Sequence, residues 1–245
     1  MDERINKYLS SCGYCSRREA DRLINEKRVR IDGVIAELGS RVSDGQQVMV
    51  DDRLVAVSDE RLLIAFNKPV GIVCTTTDKQ GDNNIVDYIG FDKRIYPIGR
   101  LDKDSEGLIL LTNQGQLMDD ILRSVNGHEK EYIVTVNKKL EPDFAKKMSQ
   151  PMYIKELDRW TKKCAVKVVD ERTFNIILTQ GLNRQIRRMS QILGYKVVKL
   201  KRIRIMNINL GNLKTGEYRY VSDSEYKTLV EMIGRKGEKG SYESI

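Results

Sequence analysis

Two aspartates, Asp102 and Asp104, stand in the stretch Gly99-Arg100-Leu101-Asp102-Lys103-Asp104-Ser105-Glu106-Gly107. A glycine-bounded polar stretch followed at once by the apolar run Leu108-Ile109-Leu110-Leu111 reads as a loop mounted on a buried strand, a common place for catalytic groups. An ionised carboxylate there can act as a nucleophile or a base, and a flanking arginine favours the charged form. The two aspartates are equal candidates on these grounds. On pattern alone, a charged turn whose carboxylates bond their own backbone is the better account.

Two further segments carry groups of interest. His128-Glu129-Lys130-Glu131-Tyr132 leads into a strand, and on pattern alone Tyr132 reads as an ordinary half-buried strand tyrosine. Asn183-Arg184-Gln185-Ile186-Arg187-Arg188-Met189 says more. On a helical wheel Ile186, Met189 and Leu193 share one side, while Arg184, Arg187, Arg188 and Gln191 fan over the other. Gly194 is a natural stop. From Arg184 to Arg204, a run that includes Lys199 and Lys201, there are eight Lys or Arg and no Asp or Glu. A solvated face normally mixes signs, so this run reads as a phosphate-binding stripe.

The elements that must hold these groups are legible in outline. Residues 1–58 form a small unit. Ile5, Tyr8, Leu9 and Cys12 mark one face of a short helix, Gly13 ends it, and Ser16 with Glu19 is a capping box opening a second helix. Short strands follow around the turns Asp32-Gly33 and Asp44-Gly45. The second helix and its exit carry Arg17, Arg18, Arg22, Lys27, Arg28 and Arg30, interrupted by Glu19, Asp21 and Glu26. A polar link, residues 58–61, leads to the apolar run 62–66, suited to a strand buried on both faces. Tyr132, Val134 and Val136 alternate along one strand. Phe174, Ile176 and Leu178 alternate along another, paired as a hairpin with residues 166–168. The class is α+β, dominated by antiparallel sheet. Residues 62–233 form the second unit, and residues 234–245 have little to bury and read as a flexible tail.

Composition narrows the partners. The chain has 245 residues, 40% hydrophobic and 32% charged, with a formal net charge of +8. That balance favours an anionic partner. No apolar run reaches the length of a membrane span, and the polar first residues do not form a secretory signal. Cys12, Cys15, Cys74 and Cys164 lack a second C-x-x-C pair and read as reduced, structural thiols. With His128 as the single histidine, histidine-based catalysis and a metal site are not expected.

The stretch "RINKYLSSCGYCSRREADRLINEKRVRIDG" resembles the S4 RNA-binding domain. Together with it, "NKPVGIV", "PIGRLDKDSEGLILLTNQG", "KEYIVTV" and "GLNRQIRRM" resemble the pseudouridine synthases, in the RsuA/RluF branch that carries an N-terminal S4 domain. The similarity runs from about residue 2 to 232. It implies a small S4-like unit followed by a mainly antiparallel-sheet catalytic domain. It also implies a cytoplasmic isomerase that converts a specific uridine in RNA without a cofactor. The "EKEYIVTV", "QGLNRQIRRM" and "RIMN" stretches point to large-subunit (23S) rRNA as substrate, with 16S rRNA and tRNA as alternatives. By the resemblance Asp102, not Asp104, is the catalytic carboxylate, Tyr132 stacks on the target base, and Arg187 pairs with Asp102. Leu101 and Ile186 become apolar neighbours of the site, and Lys68 belongs to a family motif. Arg100, Arg184, Arg188, Lys199, Lys201 and the S4-like Arg17, Arg18 and Arg22 are expected to meet RNA. A monomer is expected, since no heptad or broad apolar surface is evident. The rival readings are a non-catalytic RNA-binding protein and a DNA-binding regulator.

Overall fold

The computed structural model describes residues 2–55, 61–75, 83–122 and 127–234. Most of the polar link and all but the first residue of the expected tail lie outside these ranges. The N-terminal unit comprises β1 (Glu3–Arg4), α1 (Ile5–Ser11), α2 (Arg17–Asn25), β2 (Val29–Ile31), β3 (Val34–Ile35), β4 (Arg41–Val42), β5 (Val48–Val50) and β6 (Arg53–Leu54). Ile5 and Leu9 of α1 and Ala20, Leu23 and Ile24 of α2 close over Val29, Val48 and Val50, all buried. Each such Leu, Ile or Val stabilises the unit by about 1.5–3 kcal/mol, enough for a core built on so few residues. Only half of the expected capping box forms. Ser16 Oγ accepts the Glu19 N–H at 3.1 Å, while the Glu19 carboxylate turns away to chelate Arg22.

The second unit continues with β7 (Leu63–Lys68), α3 (Ile85–Ile89), β8 (Tyr96–Pro97), β9 (Glu106–Thr112), α4 (Gly115–Leu122), β10 (Lys130–Val136) and α5 (Phe144–Met148). Then come β11 (Tyr153–Ile154), β12 (Arg159–Trp160), β13 (Ala165–Val168), β14 (Thr173–Leu178), α6 (Gln185–Ile192), β15 (Val197–Ile205), β16 (Ile208–Asn209), β17 (Tyr218–Tyr220) and α7 (Asp223–Met232). One sheet runs in the order β13-β14-β10-β15-β9-β7-β17. All its pairings are antiparallel except the central one, where β15 and β9 run parallel through Lys201↔Glu106 and Arg202↔Gly107. The alternation read in β14 holds: Phe174, Ile176 and Leu178 are buried, and Val166 and Val168 face Ile176 and Phe174 across the hairpin. Strand β7 is buried along its whole length, past the apolar run to Asn67 and Lys68.

The parallel joint divides the sheet into halves with separate cores. Leu63, Ala65, Leu108 and Leu110 pack under α4 and α7 on one side. Val134, Phe174, Ile176, Phe144 and Met189 pack under α5 and α6 on the other. Gly107 permits the joint. Its φ is +106°, and a Cβ there would lie 2.3 Å from the Arg202 carbonyl oxygen, so only glycine allows this approach. No helix among the described residues is long and apolar enough to cross a membrane.

Candidate active site

The loop before β9 is held without using the Asp102 carboxylate. Lys103 O accepts the Gly71 N–H at 2.7 Å, Cys74 Sγ accepts the Leu101 N–H at 3.3 Å, and Asp102 O accepts the Ser105 N–H at 3.0 Å. The turn that supplies Gly71 is fixed in turn by Lys68. Its buried ammonium donates to Pro69 O at 2.8 Å and to Ile72 O at 2.9 Å. Burial pushes the Lys68 pKa down, and the nearby charges of Cys74, Asp104 and Asp102 partly oppose that. Lys68 is thus a brace beneath the aspartate loop.

Four segments converge on a cleft of about 330 Å³ across the joint. The loop before β9 contributes Arg100, Leu101 and Asp102. Strand β10 contributes Lys130 and Tyr132, strand β15 contributes Leu200 and Arg202, and the segment entering α6 contributes Arg184, Ile186 and Arg187. A register shift between Glu131 and Tyr132 marks the irregular backbone that can re-aim the Tyr132 side chain. Tyr132 is half-buried and packs against both the β10 core and the β7–β9 core.

The two aspartates differ sharply. Asp102 lines the cleft, with its Oδ2 3.6 Å from Arg184 Nη1. The Asp104 carboxylate is gripped by Arg184, at 2.9 and 3.2 Å, and by Arg187, at 3.2 Å. Partial burial raises the Asp104 pKa, but the Arg184 hydrogen bond and the Arg187 charge outweigh it and hold the carboxyl below its ordinary value. One carboxylate is left facing the cleft, and the other is a structural anchor. Among the described residues no cluster of three or more His, Cys, Asp or Glu could hold a metal.

Comparison with known proteins fits this arrangement. The profile described as RNA pseudouridylate synthase matches residues 62–191, and the S4 domain profile matches residues 3–48. The dual-specificity RNA pseudouridine synthase RluF of Salmonella typhi is 51% identical over 232 residues, covering 94% of this chain and 79% of that protein. The chain belongs to the RNA pseudouridylate synthase family. The ribosomal large subunit pseudouridine synthase B of Bacillus subtilis is 32% identical, covering 93% of this synthase and 95% of its own length. A solved pseudouridylate synthase structure superposes with a TM-score of 0.69 at 30% identity, covering 93% of this chain and all of that one. The synthase is therefore an isomerase with an N-terminal S4 domain.

One residue sits differently from expectation. Arg187 does not pair with Asp102. Its Nη2 donates to Asp104 O at 2.8 Å and Ser105 Oγ at 3.2 Å, and its Nη1 to Val197 O at 3.3 Å. The reason is its place on α6. Its side chain is 14% exposed and lies against the loop backbone, while Arg184 caps the helix at φ +50° and reaches Asp102 instead. Lys199 and Lys201 do not line the cleft, since on β15 it is Leu200 and Arg202 that do, and Lys199 pairs with Glu106 at 3.3 Å. Arg188 reaches Glu156 at 3.3 Å. In the S4 domain Arg22 is clamped by Glu19 and Glu26 at 2.5 Å each, and Arg17 lies 3.7 Å from Asp119 of α4. Arg18 and Arg100 are exposed.

Two cleft residues escaped singling out. Lys130 is half-buried, and burial followed by the Arg202 charge pushes its pKa down. Arg202 is 2% exposed, donates to Leu108 O at 2.6 Å and leaves Nη2 without a protein partner. The signal for Arg202 was its two-residue spacing from Leu200 on a strand. His128 also lines the cleft, buried, with Nδ1 2.9 Å from Ile121 O.

Proposed function

We propose that the synthase isomerises a specific uridine in large-subunit (23S) rRNA, with Asp102 as the reacting carboxylate. The observation that carries this reading is the division between the aspartates: Asp102 opens into the cleft that Tyr132 lines, while Asp104 is clamped. The large-ribosomal-subunit designation of the Bacillus relative supports the choice of RNA.

The reaction breaks the N1–C1′ bond, turns the base, joins C5 to C1′, and releases the C5 proton while N1 takes one up. Atoms and oxidation state are conserved, so the chemistry calls for no redox cofactor. A stacked uridine is out of reach and must be flipped from its helix. Tyr132 can replace part of the lost stacking, an effect of about 1–3 kcal/mol per base. Arg184 Nη1, 3.6 Å from Asp102 Oδ2, places a positive charge beside the reacting carboxylate. Lys130 and Arg202 supply positive charge to the same cleft. Arg100, Lys201 and the S4-domain Arg17 and Arg18 are the phosphate contacts of this reading, with Arg188 and Lys199 available only by exchange for Glu156 and Glu106. Arg22, already neutralised, contributes less. The protein works in the cytoplasm as a monomer, residues 1–58 choosing the RNA and residues 62–233 performing the chemistry.

The test is tritium release from C5-labelled, unmodified large-subunit rRNA. Wild type is expected to release label, and Asp102→Asn to release none while binding the RNA with nearly unchanged affinity. Normal turnover by Asp102→Asn would remove Asp102 from the chemistry. Release from tRNA or 16S rRNA alone would move the target.

A further inference from the structure

We propose that the β11–β12 hairpin is a base-stacking platform for the RNA strand beside the target nucleotide; this deepens the RNA reading above. Trp160, the chain's one tryptophan, is 64% exposed. Its cross-strand partner Tyr153 is 43% exposed, and the two rings lie 5.5 Å apart, tilted by 46°. Two neighbouring aromatics in water are a costly use of apolar surface unless something covers them.

The pair is rigidly mounted. Met152, Ile154 and Thr161 are buried beneath it, and Thr161 Oγ1 accepts the Met152 N–H at 2.8 Å. Tyr153 donates its hydroxyl proton to Asp158 at 2.6 Å, which fixes the ring. The hairpin is also tied to the cleft. Gln180, a cleft-lining residue, accepts the Lys162 N–H at 2.8 Å and donates to Trp160 O at 3.3 Å. Arg188 of α6 reaches Glu156 at 3.3 Å.

Charge selects the occupant. Lys155, Arg159, Lys162 and Lys163 are exposed and form no ion pair among the described residues, while both acids of the hairpin are engaged, Glu156 by Arg188 and Asp158 by Tyr153. Exposed aromatics ringed by free cations are the pattern of a single-stranded nucleic-acid surface, where bases stack and phosphates meet Lys and Arg. A protein-binding patch is depleted of lysine. Trp160 does not line the cleft, so the platform acts on affinity and register rather than on the chemical step.

The lone tryptophan is its own probe. Titrating wild type with an unmodified large-subunit rRNA transcript should quench its fluorescence and shield it from acrylamide, saturating with binding. Trp160→Ala should weaken that binding about 5- to 160-fold, the range for losing one stacked base, with kcat at saturating RNA unchanged and most affinity regained in Trp160→Phe. Unchanged fluorescence on binding, with wild-type affinity in Trp160→Ala, would overturn the proposal and give the patch to a protein partner. A drop in melting temperature with affinity intact would also overturn it, by reducing the pair to a hairpin brace. Fluorescence reads binding alone. A wild type that binds and quenches but releases no tritium would therefore defeat the proposed reaction and leave the platform standing.

Discussion

Gly107→Ala should be among the most damaging single methyl additions available in the catalytic domain. The new Cβ would meet three backbone atoms of Arg202, its O at 2.3 Å, N at 2.7 Å and C at 3.0 Å. Backbone cannot swing aside as a side chain can, so β9 and β15 must separate. Holding alanine in a left-handed conformation costs about 1–2 kcal/mol. Separation loosens the two residue pairs of the parallel joint, at about 1 kcal/mol per hydrogen bond. It also pulls the buried Arg202 guanidinium from Leu108 O, a charge-assisted bond of about 1.5–3 kcal/mol. The sum is roughly 4–7 kcal/mol, against a typical total stability of 5–15 kcal/mol. Urea unfolding followed by circular dichroism should show a midpoint lower by about 1.5–3.5 M at an m-value of about 2–3 kcal/mol/M. Activity should fall with it, because the joint carries Asp102 on one side and Tyr132 on the other. Gly181→Ala is the control: its φ is not positive and nothing lies within 4 Å of the added Cβ, so its midpoint should hold. A Gly107→Ala loss below about 1 kcal/mol would refute the claim that close approach, rather than composition, places glycine here.

The two arginines of the aspartate loop should separate in assay. Arg187→Ala strips donors from Asp104 O, Ser105 and Val197 O in a partly buried setting and should cost about 2–3 kcal/mol of stability, read by thermal melting. Arg184→Ala removes a side chain that is 41% exposed, should change stability by no more than about 1 kcal/mol, and should lower kcat in the tritium assay. Equal melting temperatures for the two variants would contradict the roles assigned. Lys130→Met should stabilise the protein near neutral pH while weakening RNA binding. Lys130 has a depressed folded pKa, so the unfolded chain holds its proton more tightly and stability rises as pH climbs from the folded value to the unfolded one, about 10.4. The advantage of methionine should therefore shrink over that window, and a gain that grows with pH in urea titrations would refute it.

Much of the scaffold was legible because its signals are local. The period-two run Phe174-x-Ile176-x-Leu178 required only that one face of a strand be buried, and the run from Leu62 to Phe66 required both. The burial of Asn67 and Lys68 was not legible. Asn67 donates its side-chain amide to Leu213 O, 146 residues away, and Lys68 donates to carbonyls of a turn it helps to shape. The parallel joint was hidden for the same reason, since Gly107 and Arg202 announce no pairing in sequence. At the site, local spacing left Asp102 and Asp104 level. What separates them in space is which of them the α6 arginines reach, and a wheel that put Arg184 and Arg187 on one face could not show that Arg184 lies outside the helix in a left-handed conformation.

The cationic run from Arg184 to Arg204 shows how sequence charge and surface charge part company. No acid interrupts the run in sequence, yet acids arrive from elsewhere. Glu129 and Glu131 meet Arg204, Glu106 meets Lys199, Glu156 meets Arg188, and Asp104 meets Arg184 and Arg187. Arg202 is buried and spends its Nε on the β9 backbone. Most of the eight charges therefore brace the sheet and the aspartate loop, and few remain as free phosphate contacts. A stripe of eight free cations would bind any polyanion, with a steep dependence on salt. A stripe largely compensated by acids from neighbouring strands holds the catalytic loop instead. In the proposed reading, discrimination among RNAs then falls to the S4 domain, the cleft and the cleft's rim, where cations without acidic partners among the described residues stand beside aromatic rings.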